Sequence, residues 1–346
     1  MEQWQRTLSE SITSLDELAR FFPIDIESLR PVIVRYPLRI THYYLNLIQE
    51  RDDPIGRQCI PDQRELMQDN LSIDPLNEGN LTFAPGLIHR YPDRVVLLVS
   101  SSCPTLCRFC TRKNRMAEES LINQKSLKTA LEYIEERPAI REVILSGGDP
   151  LLLTDDELEM ILNRLRKITH LEIIRLHTRA PVTLPDRITQ HLSQMLKQYH
   201  PLYVNTQFNH PKEITPLSAK ACARLADAGI PLGNQTVLLK GVNDDLEVMK
   251  QLMQKLLSIR VRPYYIHQVD LVKGTGHFRT PIQKGRDIMA GLRGHTSGMA
   301  TPSYVIDLPG GKGKVPFLPD DVKRQGNIFY LRNYLGEVVE YPDTDE

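Results

Sequence analysis

The sequence VVLLVSSSCPTLCRFC, residues 95–110, contains the signal that decides the fold. Its first six residues form an apolar run that predicts a short buried β-strand. Three cysteines, Cys103, Cys107 and Cys110, follow this strand with the spacing C-x3-C-x2-C. The chain therefore passes from a predicted core strand directly into a loop with three thiols, the ligands that iron–sulfur clusters and structural zinc sites use.

Further apolar runs of similar length lie downstream, and amphipathic stretches with helical spacing separate them. The six predicted strands are residues 95–100, 143–146, 172–176, 202–206, 236–239 and 264–268. Alternation of strands and helices predicts an α/β fold with a parallel sheet, either an open doubly wound sheet or a full or partial barrel. In both arrangements, functional side chains gather at the carboxyl ends of the strands.

The regions on either side of these strands have a different pattern. Residues before about 80 predict helices and loops, whereas residues after about 300 predict one strand (304–306), a glycine-rich loop and a hairpin-like end. We therefore divide the chain into an N-terminal helical region (1–85), a core of strands and helices (86–299) and a C-terminal segment (300–346).

The composition is that of a globular protein without a strongly charged surface. Lys plus Arg and Asp plus Glu both total 43 in 346 residues, so the net charge gives no reason to expect a nucleic acid or a membrane as partner. The sequence shows neither a secretory signal nor a run of membrane-spanning length, and we expect a cytoplasmic protein. In that reducing compartment, five cysteines with three of them clustered favour metal or redox chemistry over disulfide bonds.

The three clustered cysteines favour an iron–sulfur cluster with one open coordination position. A four-iron cluster normally takes four thiolates, so three leave one iron without a protein ligand, and S-adenosylmethionine (SAM) can fill that position through its amino and carboxylate groups. An electron from the cluster then cleaves the sulfonium to a 5′-deoxyadenosyl radical. Zinc is the alternative, but it needs a fourth Cys or His, and Cys59 and Cys222 are distant in the sequence.

The same motif carries a resemblance to a known family. C-x3-C-x2-C after a first strand resembles the radical SAM superfamily, and HRYPDR (89–94) and CTR (110–112) resemble the lysine 2,3-aminomutase family in particular. Further similar stretches are residues 146–149, 205–210, 233–235, 276–281 and 294–298. The resemblance extends from about residue 4 to 340. It implies a radical SAM partial (β/α)6 barrel with an N-terminal helical region and a C-terminal extension, in agreement with the six predicted strands.

One of these stretches resembles the SAM-binding glycine motif of the superfamily. Gly147 and Gly148 end the second predicted strand, where glycines let the backbone approach the methionine end of SAM. Asp149 is then expected to accept a hydrogen bond from the amino group of SAM, and Gln235, in the stretch 233–235, is also expected to bind a cofactor. An ordinary turn between strand and helix is the alternative explanation for the glycines.

The glycine-rich sequence DLPGGKGKVP, residues 307–316, predicts a mobile lysine. Lysine amines form Schiff bases with pyridoxal phosphate. A nucleotide-binding P-loop is excluded because Val315 stands where Ser or Thr is needed and Leu308 where glycine is needed, whereas a solvated glycine–lysine turn remains an alternative. The resemblance selects Lys314 as the pyridoxal lysine, with Lys312 as the substitute.

The remaining site residues follow mainly from the resemblance. A cofactor phosphate needs cations or helix amino termini, and the expected residues at the pyridoxal phosphate are Arg90, Tyr91, Arg94 and Arg179. The expected substrate-binding residues are Arg112 for the α-carboxylate, and Asp270 and Asp307 for a substrate cation such as the ε-ammonium of lysine. Surface arginines and turn aspartates are the alternatives, and arginine also fits two carboxylates.

The resemblance implies an isomerase that interconverts L-α-lysine and β-lysine. It would use a 4Fe–4S cluster, SAM, pyridoxal phosphate aldimine chemistry and an external electron donor of the flavodoxin or ferredoxin type. The alternatives are a 2,3-aminomutase for arginine or another amino acid, β-lysine formation for modifying elongation factor P, a radical SAM enzyme acting on RNA or protein, and a non-enzymatic metal protein.

Longer relatives in the family hold a structural zinc between subunits with C-terminal cysteines and one further cysteine. This sequence ends at Glu346 without such a cluster and has Asp245 at the position of the further cysteine. We therefore expect no structural zinc, and a homo-oligomer, a dimer in place of the tetramer of those relatives.

Overall fold

A ten-stranded sheet forms the centre of the computed structural model, which describes residues 2–67, 70–115, 124–318 and 322–344. Within those ranges, the strands are β1 (Thr82–Ala84), β2 (Leu87–Tyr91), β3 (Arg94–Ser100), β4 (Glu142–Gly147), β5 (Ile173–His177), β6 (Leu202–Thr206), β7 (Leu232–Leu238), β8 (Arg262–Gln268), β9 (Ser303–Asp307), β10 (Lys314–Pro316), β11 (Val322–Gln325), β12 (Ile328–Arg332) and β13 (Val338–Pro342). The first ten lie side by side in the order of the sequence.

The sheet is parallel from β3 to β9 and antiparallel at its two ends. β2 pairs antiparallel with β3, and β10 pairs antiparallel with β9. Each of the six strands predicted from the sequence overlaps one of β3 to β8, and the predicted strand 304–306 lies within β9. Because β1 and β10 are the two ends of the strand order, the barrel is partial, and the predicted fold class is confirmed.

The two faces of the parallel strands differ in polarity. Leu97, Leu145 and Leu176 are fully buried. They belong to one hydrophobic core that also contains the residues of the surrounding helices that face the sheet. The alternate residues of β5, Arg175 and His177, are half-buried. Since side chains alternate between faces along a strand, the outer face packs on the helices, and at β5 the inner face carries polar side chains.

Helices cover the outer face of the sheet and build the N-terminal region. They are α1 (Gln3–Ser9), α2 (Leu15–Leu18), α3 (Ile26–Arg35), α4 (His42–Leu45), α5 (Gly56–Cys59), α6 (Gln124–Glu135), α7 (Asp155–Arg166), α8 (Ala180–Thr183), α9 (Gln190–Leu196), α10 (Pro216–Asp227), α11 (Leu246–Ser258) and α12 (Ile282–Leu292). α7 shows why such segments are helical: Thr154 and Glu157 form a capping box, and Leu158, Leu162 and Leu165 are buried on one face. None of the described helices combines the length and apolarity needed to cross a bilayer.

One hairpin was missed by the sequence analysis, and the predicted hairpin-like end has one strand more than a hairpin. The hairpin of β1 and β2 was not predicted, because its strands are very short and meet at Gly86, whose φ of 74° allows the tight turn. The hairpin-like end of the chain is present, as a separate antiparallel sheet of β11, β12 and β13.

Candidate active site

The loop after β3 presents the three predicted ligand cysteines. Cys103, Cys107 and Cys110 are half-buried and unpaired as thiols. The N-terminal region holds the loop by its backbone: Leu106 N donates to Arg39 O at 2.9 Å, and Arg108 N donates to Gln58 O at 2.9 Å. The loop therefore sits between the end of the first parallel strand and the helical region that precedes it.

A buried ion network fixes the middle of this cysteine loop. Arg108 Nη2 lies 2.5 Å from Glu65 Oε2, and Lys113 Nζ lies 2.5 Å from the same oxygen. Arg108 Nη1 also donates to Pro37 O at 2.8 Å, and Lys113 Nζ to Gly274 O at 2.9 Å. The charged side chains of Glu65, Arg108 and Lys113 are almost completely buried. The free-energy cost of burying each charge is therefore offset by the opposite charges beside it.

Burial disfavours the thiolate form of the cysteines unless a cation binds it. Burial, with the neighbouring Cys107, raises the pKa of Cys110 to about 11, and burial raises the pKa of Cys103 well above its ordinary value. Thiolates bind metal, so a cationic cluster would stabilise the form that burial disfavours. Among the described residues, no three His, Cys, Asp or Glu side chains gather around a single ion, whereas in a four-iron cluster each thiolate binds a different iron.

Arg179 lies at the cysteine loop and not with the other predicted phosphate ligands. Its Nη1 donates to Cys107 Sγ at 2.8 Å, and its Nη2 donates to Gln58 Oε1 at 2.6 Å and Glu213 Oε1 at 2.7 Å. Its Nε donates to Gln207 O at 3.1 Å. Because every guanidinium nitrogen already donates, the structure does not support the prediction that Arg179 holds a cofactor phosphate.

The predicted glycine motif packs directly against the start of the cysteine loop. Gly148 N donates to Ser100 O at 2.6 Å, and Asp149 N donates to Ser102 O at 2.7 Å. Gly147 has a φ of 119°, and a Cβ at Gly147 or Gly148 would collide with the backbone of Ser100 or Ser102. Close approach of two backbones therefore explains the glycines, with or without a ligand.

The Asp149 carboxylate joins two strand ends. Its Oδ1 accepts from Thr178 Oγ1 at 2.7 Å and from Leu151 N at 3.0 Å, and its Oδ2 accepts from Arg179 N at 2.8 Å. Burial raises the pKa of Asp149 despite these hydrogen bonds. A contact between Asp149 and the amino group of SAM stays a prediction.

A second group of predicted residues meets where β9 and β10 pair. Asp307 and Lys314 are direct partners in the register, and Lys314 Nζ lies 2.6 Å from Asp307 Oδ2. His267 Nδ1 lies 3.2 Å from the same oxygen, and Arg90 Nη1 lies 3.4 Å from Oδ1. Burial alone would raise the pKa of Asp307, but the hydrogen bond from His267 and the charge of Lys314 hold it well below its ordinary range.

Tyr91 and Arg94 border the same group. Tyr91 Oη accepts from Lys314 N at 2.9 Å, and the Arg94 guanidinium carbon lies 3.9 Å from the centre of the Tyr91 ring. Lys312, the substitute candidate, is exposed. The structure thus brings together Arg90, Tyr91, Arg94 and Lys314, and leaves Lys312 outside.

An unpaired buried donor makes this group fit pyridoxal phosphate. Arg90 Nε is buried with no hydrogen-bond partner among the described residues. Such atoms are rare unless a ligand or water satisfies them. The phosphate oxygens of the cofactor are acceptors, and Lys314 supplies the amine for its aldehyde.

The two predicted substrate carboxylates are neighbours. Asp270 lies just after β8, and Thr111 Oγ1 donates to Asp270 Oδ2 at 2.5 Å. Burial and then the charge of Asp307 raise the pKa of Asp270 to about 6. We call Asp270 and Asp307 the acid pair.

Arg112 already forms an ion pair with Glu78, a residue that the sequence analysis did not identify. Its Nε and Nη2 bind the two oxygens of Glu78 at 2.9 and 2.8 Å. Burial opposes the charge on Arg112, but Glu78 raises the pKa of the guanidinium above its ordinary value. Glu78 lies in a stretch that looks like a polar connector, and no sequence signal marks it as buried. A substrate carboxylate at Arg112 stays a prediction.

Gln235 lies on the inner face of β7 and is paired in the register with Tyr265. The Tyr265 ring centre lies 5.7 Å from Lys314 Nζ. Tyr265 and His267, which sequence reasoning missed, are alternate residues of β8 and could have been found as polar inward-facing positions of a predicted strand.

The chain is similar in sequence to known proteins over almost its whole length. A family model described as the radical SAM superfamily matches residues 97–253, and one described as lysine-2,3-aminomutase matches residues 289–346. The L-lysine 2,3-aminomutase of Acetoanaerobium sticklandii is 47% identical over 99% of this chain and 84% of its own length. The glutamate 2,3-aminomutase of Clostridioides difficile is 43% identical over 99% of this chain and 82% of its own length. A solved radical SAM methyltransferase from Sphaerobacter thermophilus has a TM-score of 0.47 and 15% identity, over 64% of this chain and 68% of its own.

Proposed function

This chain belongs to the lysine 2,3-aminomutase family of radical SAM enzymes, and we propose that it interconverts L-α-lysine and β-lysine. Membership makes it an isomerase that uses a 4Fe–4S cluster and SAM. The finer assignment, lysine as the amino acid and pyridoxal phosphate at Lys314, is the proposal.

The observation that carries the choice of lysine is the acid pair with an ammonium already bound to it. Asp307 holds Lys314 Nζ at 2.6 Å, which is the contact that a substrate ε-ammonium would make. When Lys314 forms a Schiff base, it no longer supplies a free ammonium. Since burial lowers the pKa of His267, its ring is neutral at pH 7, and the acid pair is then available for a cation from the substrate.

The same charges disfavour glutamate as substrate. A side-chain carboxylate within reach of Asp270 and Asp307 would be repelled by both, and the repulsion is strong at a buried site. Arg90, a cation that could attract a substrate carboxylate, has its Nη1 3.4 Å from Asp307 Oδ1. The Asp307 carboxylate therefore already offsets the positive charge of Arg90. The proposal therefore favours lysine, although a glutamate aminomutase is among the relatives.

The cofactors supply the radical and the electron-accepting ring when they are bound. Cys103, Cys107 and Cys110 would hold the cluster, with Arg179 donating to the sulfur of Cys107 and limiting its charge. Arg90, Tyr91, Arg94 and Lys314 would hold pyridoxal phosphate. The polar inner face of the barrel would enclose the reacting atoms and keep water and oxygen away from them.

Product analysis tests the proposal. Protein reconstituted anaerobically with iron, sulfide, SAM and pyridoxal phosphate is incubated separately with L-lysine, L-arginine and L-glutamate, and the β-amino acids are identified by NMR. We expect β-lysine as the main product. A main product derived from glutamate or arginine would contradict the assignment of the acid pair.

A further inference from the structure

A basic groove lies outside the active site, on the far side of the cysteine loop. It is a cavity of about 860 Å³ whose charged walls include Arg57, Arg64, Lys240 and Arg279. Among its described lining residues, Asp244 is the acidic one. The whole chain has equal numbers of acidic and basic residues, so a local excess of positive charge is a feature of this surface.

The cations of the groove are available for a partner. Lys240 and Arg279 are exposed, and in the described part of the chain neither side chain has a carboxylate partner. Arg64 is paired with Asp62 at 2.6 Å. Burial lowers the pKa of His277, which also lines the groove, to about 4, so its ring is neutral at pH 7.

Two aromatic rings separate the floor of the groove from the cluster ligands. Lys240 N donates to Phe278 O at 2.9 Å. The Phe278 ring packs edge to face on the Phe109 ring with centroids 6.1 Å apart. Phe109 lies between Cys107 and Cys110 in the sequence, and Cys107 packs against the small apolar cluster that both rings belong to.

The opposite wall of the groove is equally close to the cysteine loop. Arg64 and Glu65 are consecutive residues of one short 3₁₀ helix (Gln63–Leu66). Arg64 lines the groove, while Glu65 binds Arg108 in the middle of the cysteine loop at 2.5 Å. A molecule bound in the groove is therefore one layer of side chains away from the cluster ligands.

The groove also has an apolar patch of the kind found in protein interfaces. Met67, on its wall, is 62% exposed, and the neighbouring Leu66 is 39% exposed. Exposed methionine and leucine bordered by cations are typical of a surface that binds another protein.

We propose that the basic groove is the docking site of a small acidic protein that delivers one electron to the cluster. Charge complementarity selects an acidic partner and accelerates its approach. A flavin hydroquinone in that partner would become a semiquinone as it gives up one electron, and the oxidised cluster would become the reduced form that SAM cleavage requires. Because the isomerisation has no net redox change, this electron activates the enzyme and is not used up in each turnover. This inference rests on the proposed function, because it requires a redox-active cluster.

Charge reversal at the groove, with two alternative reductants, tests this proposal. The double variant Lys240→Glu/Arg279→Glu is compared with Lys220→Glu, an exposed lysine on α10 outside the groove. Each holoenzyme is assayed with a photoreduced flavodoxin of strongly negative net charge and, separately, with dithionite. For the double variant we expect the rate of activation by limiting flavodoxin, followed as the onset of isomerase activity, to fall about tenfold or more and the dithionite-driven rate to stay at the wild-type value.

Two further measurements strengthen the test. The wild-type flavodoxin-driven rate is expected to fall with added salt, because exposed charges are screened within about 10 Å at 0.1 M. The milder variant Lys240→Gln/Arg279→Gln, whose fold and cluster absorbance are checked first, is expected to bind flavodoxin more weakly than wild type in a direct titration. Equal binding by this variant, or an equal loss of rate in Lys220→Glu, would overturn the proposal. Absence of dithionite-driven activity in the wild type would instead refute the proposed function.

Discussion

Asp307 is the residue on which the candidate site depends most, because it contacts a lysine, a histidine and an arginine within 3.4 Å. The lysine proposed to bind the cofactor and a carboxylate proposed to select the substrate are therefore direct neighbours. Two predictions concern single side chains of this group.

Replacing Lys314 with alanine is expected to abolish Schiff-base formation with pyridoxal phosphate, whereas Lys312→Ala should leave it intact. The physical reason is that Lys314 Nζ lies inside the group while Lys312 is exposed. Visible absorption of the reconstituted proteins, followed by borohydride trapping and peptide mapping, measures the linkage. A pyridoxyl label on Lys312 of the wild-type protein would refute the assignment.

Replacing Asp270 with asparagine is expected to lower kcat/KM for lysine by roughly thirtyfold or more, since removing one partner of a buried charge pair costs about 2 kcal/mol or more. Because the pKa of Asp270 is raised to about 6, the carboxyl is ionised at pH 7 and becomes neutral as the pH falls below 6. The wild-type kcat/KM should therefore decrease through that range, and Asp270→Asn should lack this decrease. Asp287→Asn, on the exposed side of α12, is the control. A pH profile shared by Asp270→Asn and wild type would contradict the role.

At the scale of elements, the cysteine loop is held from two directions. The 3₁₀ helix (Gln63–Leu66) binds it through Glu65, and the end of β4 binds it through Gly148. Each contact gives one prediction.

Glu65→Gln is expected to lower the free energy of unfolding of the cluster-free protein by about 3–5 kcal/mol, because it leaves Arg108 and Lys113 buried without their counterion. Denaturant titration measures the change. The matched control is Glu132→Gln on α6, whose pair with Lys128 is more than half exposed and should contribute less than about 1 kcal/mol. A similar small loss for both variants would show that the buried network contributes little.

Gly148→Ala is expected to reduce iron binding, because its Cβ would collide with the Ser102 backbone and displace the loop that carries the cysteines. Gly298→Ala, where the added Cβ meets no atom within 4 Å, should bind iron as wild type does. Iron and sulfide content after anaerobic reconstitution measures the difference. Full cluster content in Gly148→Ala would mean that the two backbones can separate without consequence for the cysteines.

Considered as a whole, the molecule is an open sheet: among the described residues β1 and β10 do not pair, and hydrogen bonds outside the strand ladders connect its two ends. Gly310 N donates to Pro75 O at 2.8 Å, and Lys314 N donates to Tyr91 Oη at 2.9 Å. These hydrogen bonds connect the C-terminal segment to the region just before β3.

A cofactor bound between Lys314 and Arg90 would strengthen that connection, because a ligand stabilises the state that binds it. Pyridoxal phosphate is therefore expected to slow amide hydrogen exchange in residues 309–316 and to leave α10 (Pro216–Asp227) unchanged. Exchange measured by mass spectrometry, with Lys314→Ala as control, checks this expectation. Slowing that persists in Lys314→Ala would assign the effect to another binding site.

The sequence predicted the repeating part of this architecture well and its connections poorly. Alternating apolar runs locate β3 to β9 because burial on the helix-facing side imposes a period of two. The spacing of the three cysteines and the glycine-rich sequence around Lys314 indicate the chemistry that these residues can perform. By contrast, the burial of Glu65 and Glu78 depends on contacts with residues 43 and 34 positions away, and no local pattern encodes such contacts. The position of Arg179 beside the cysteine loop was not predictable for the same reason, because its hydrogen-bond partners Tyr44, Gln58, Cys107 and Glu213 are distant from it in the sequence.

The ion pair between Lys314 and Asp307 has a consequence for redesign. The carboxylate that would select the substrate also anchors the amine that would carry the coenzyme, so an engineer who replaces Asp307 to admit an acidic amino acid would disturb coenzyme loading at the same time. Asp270 does not contact Lys314 in this way: in the described part of the chain, its carboxylate accepts a hydrogen bond from Thr111. Changes of substrate range are best begun there.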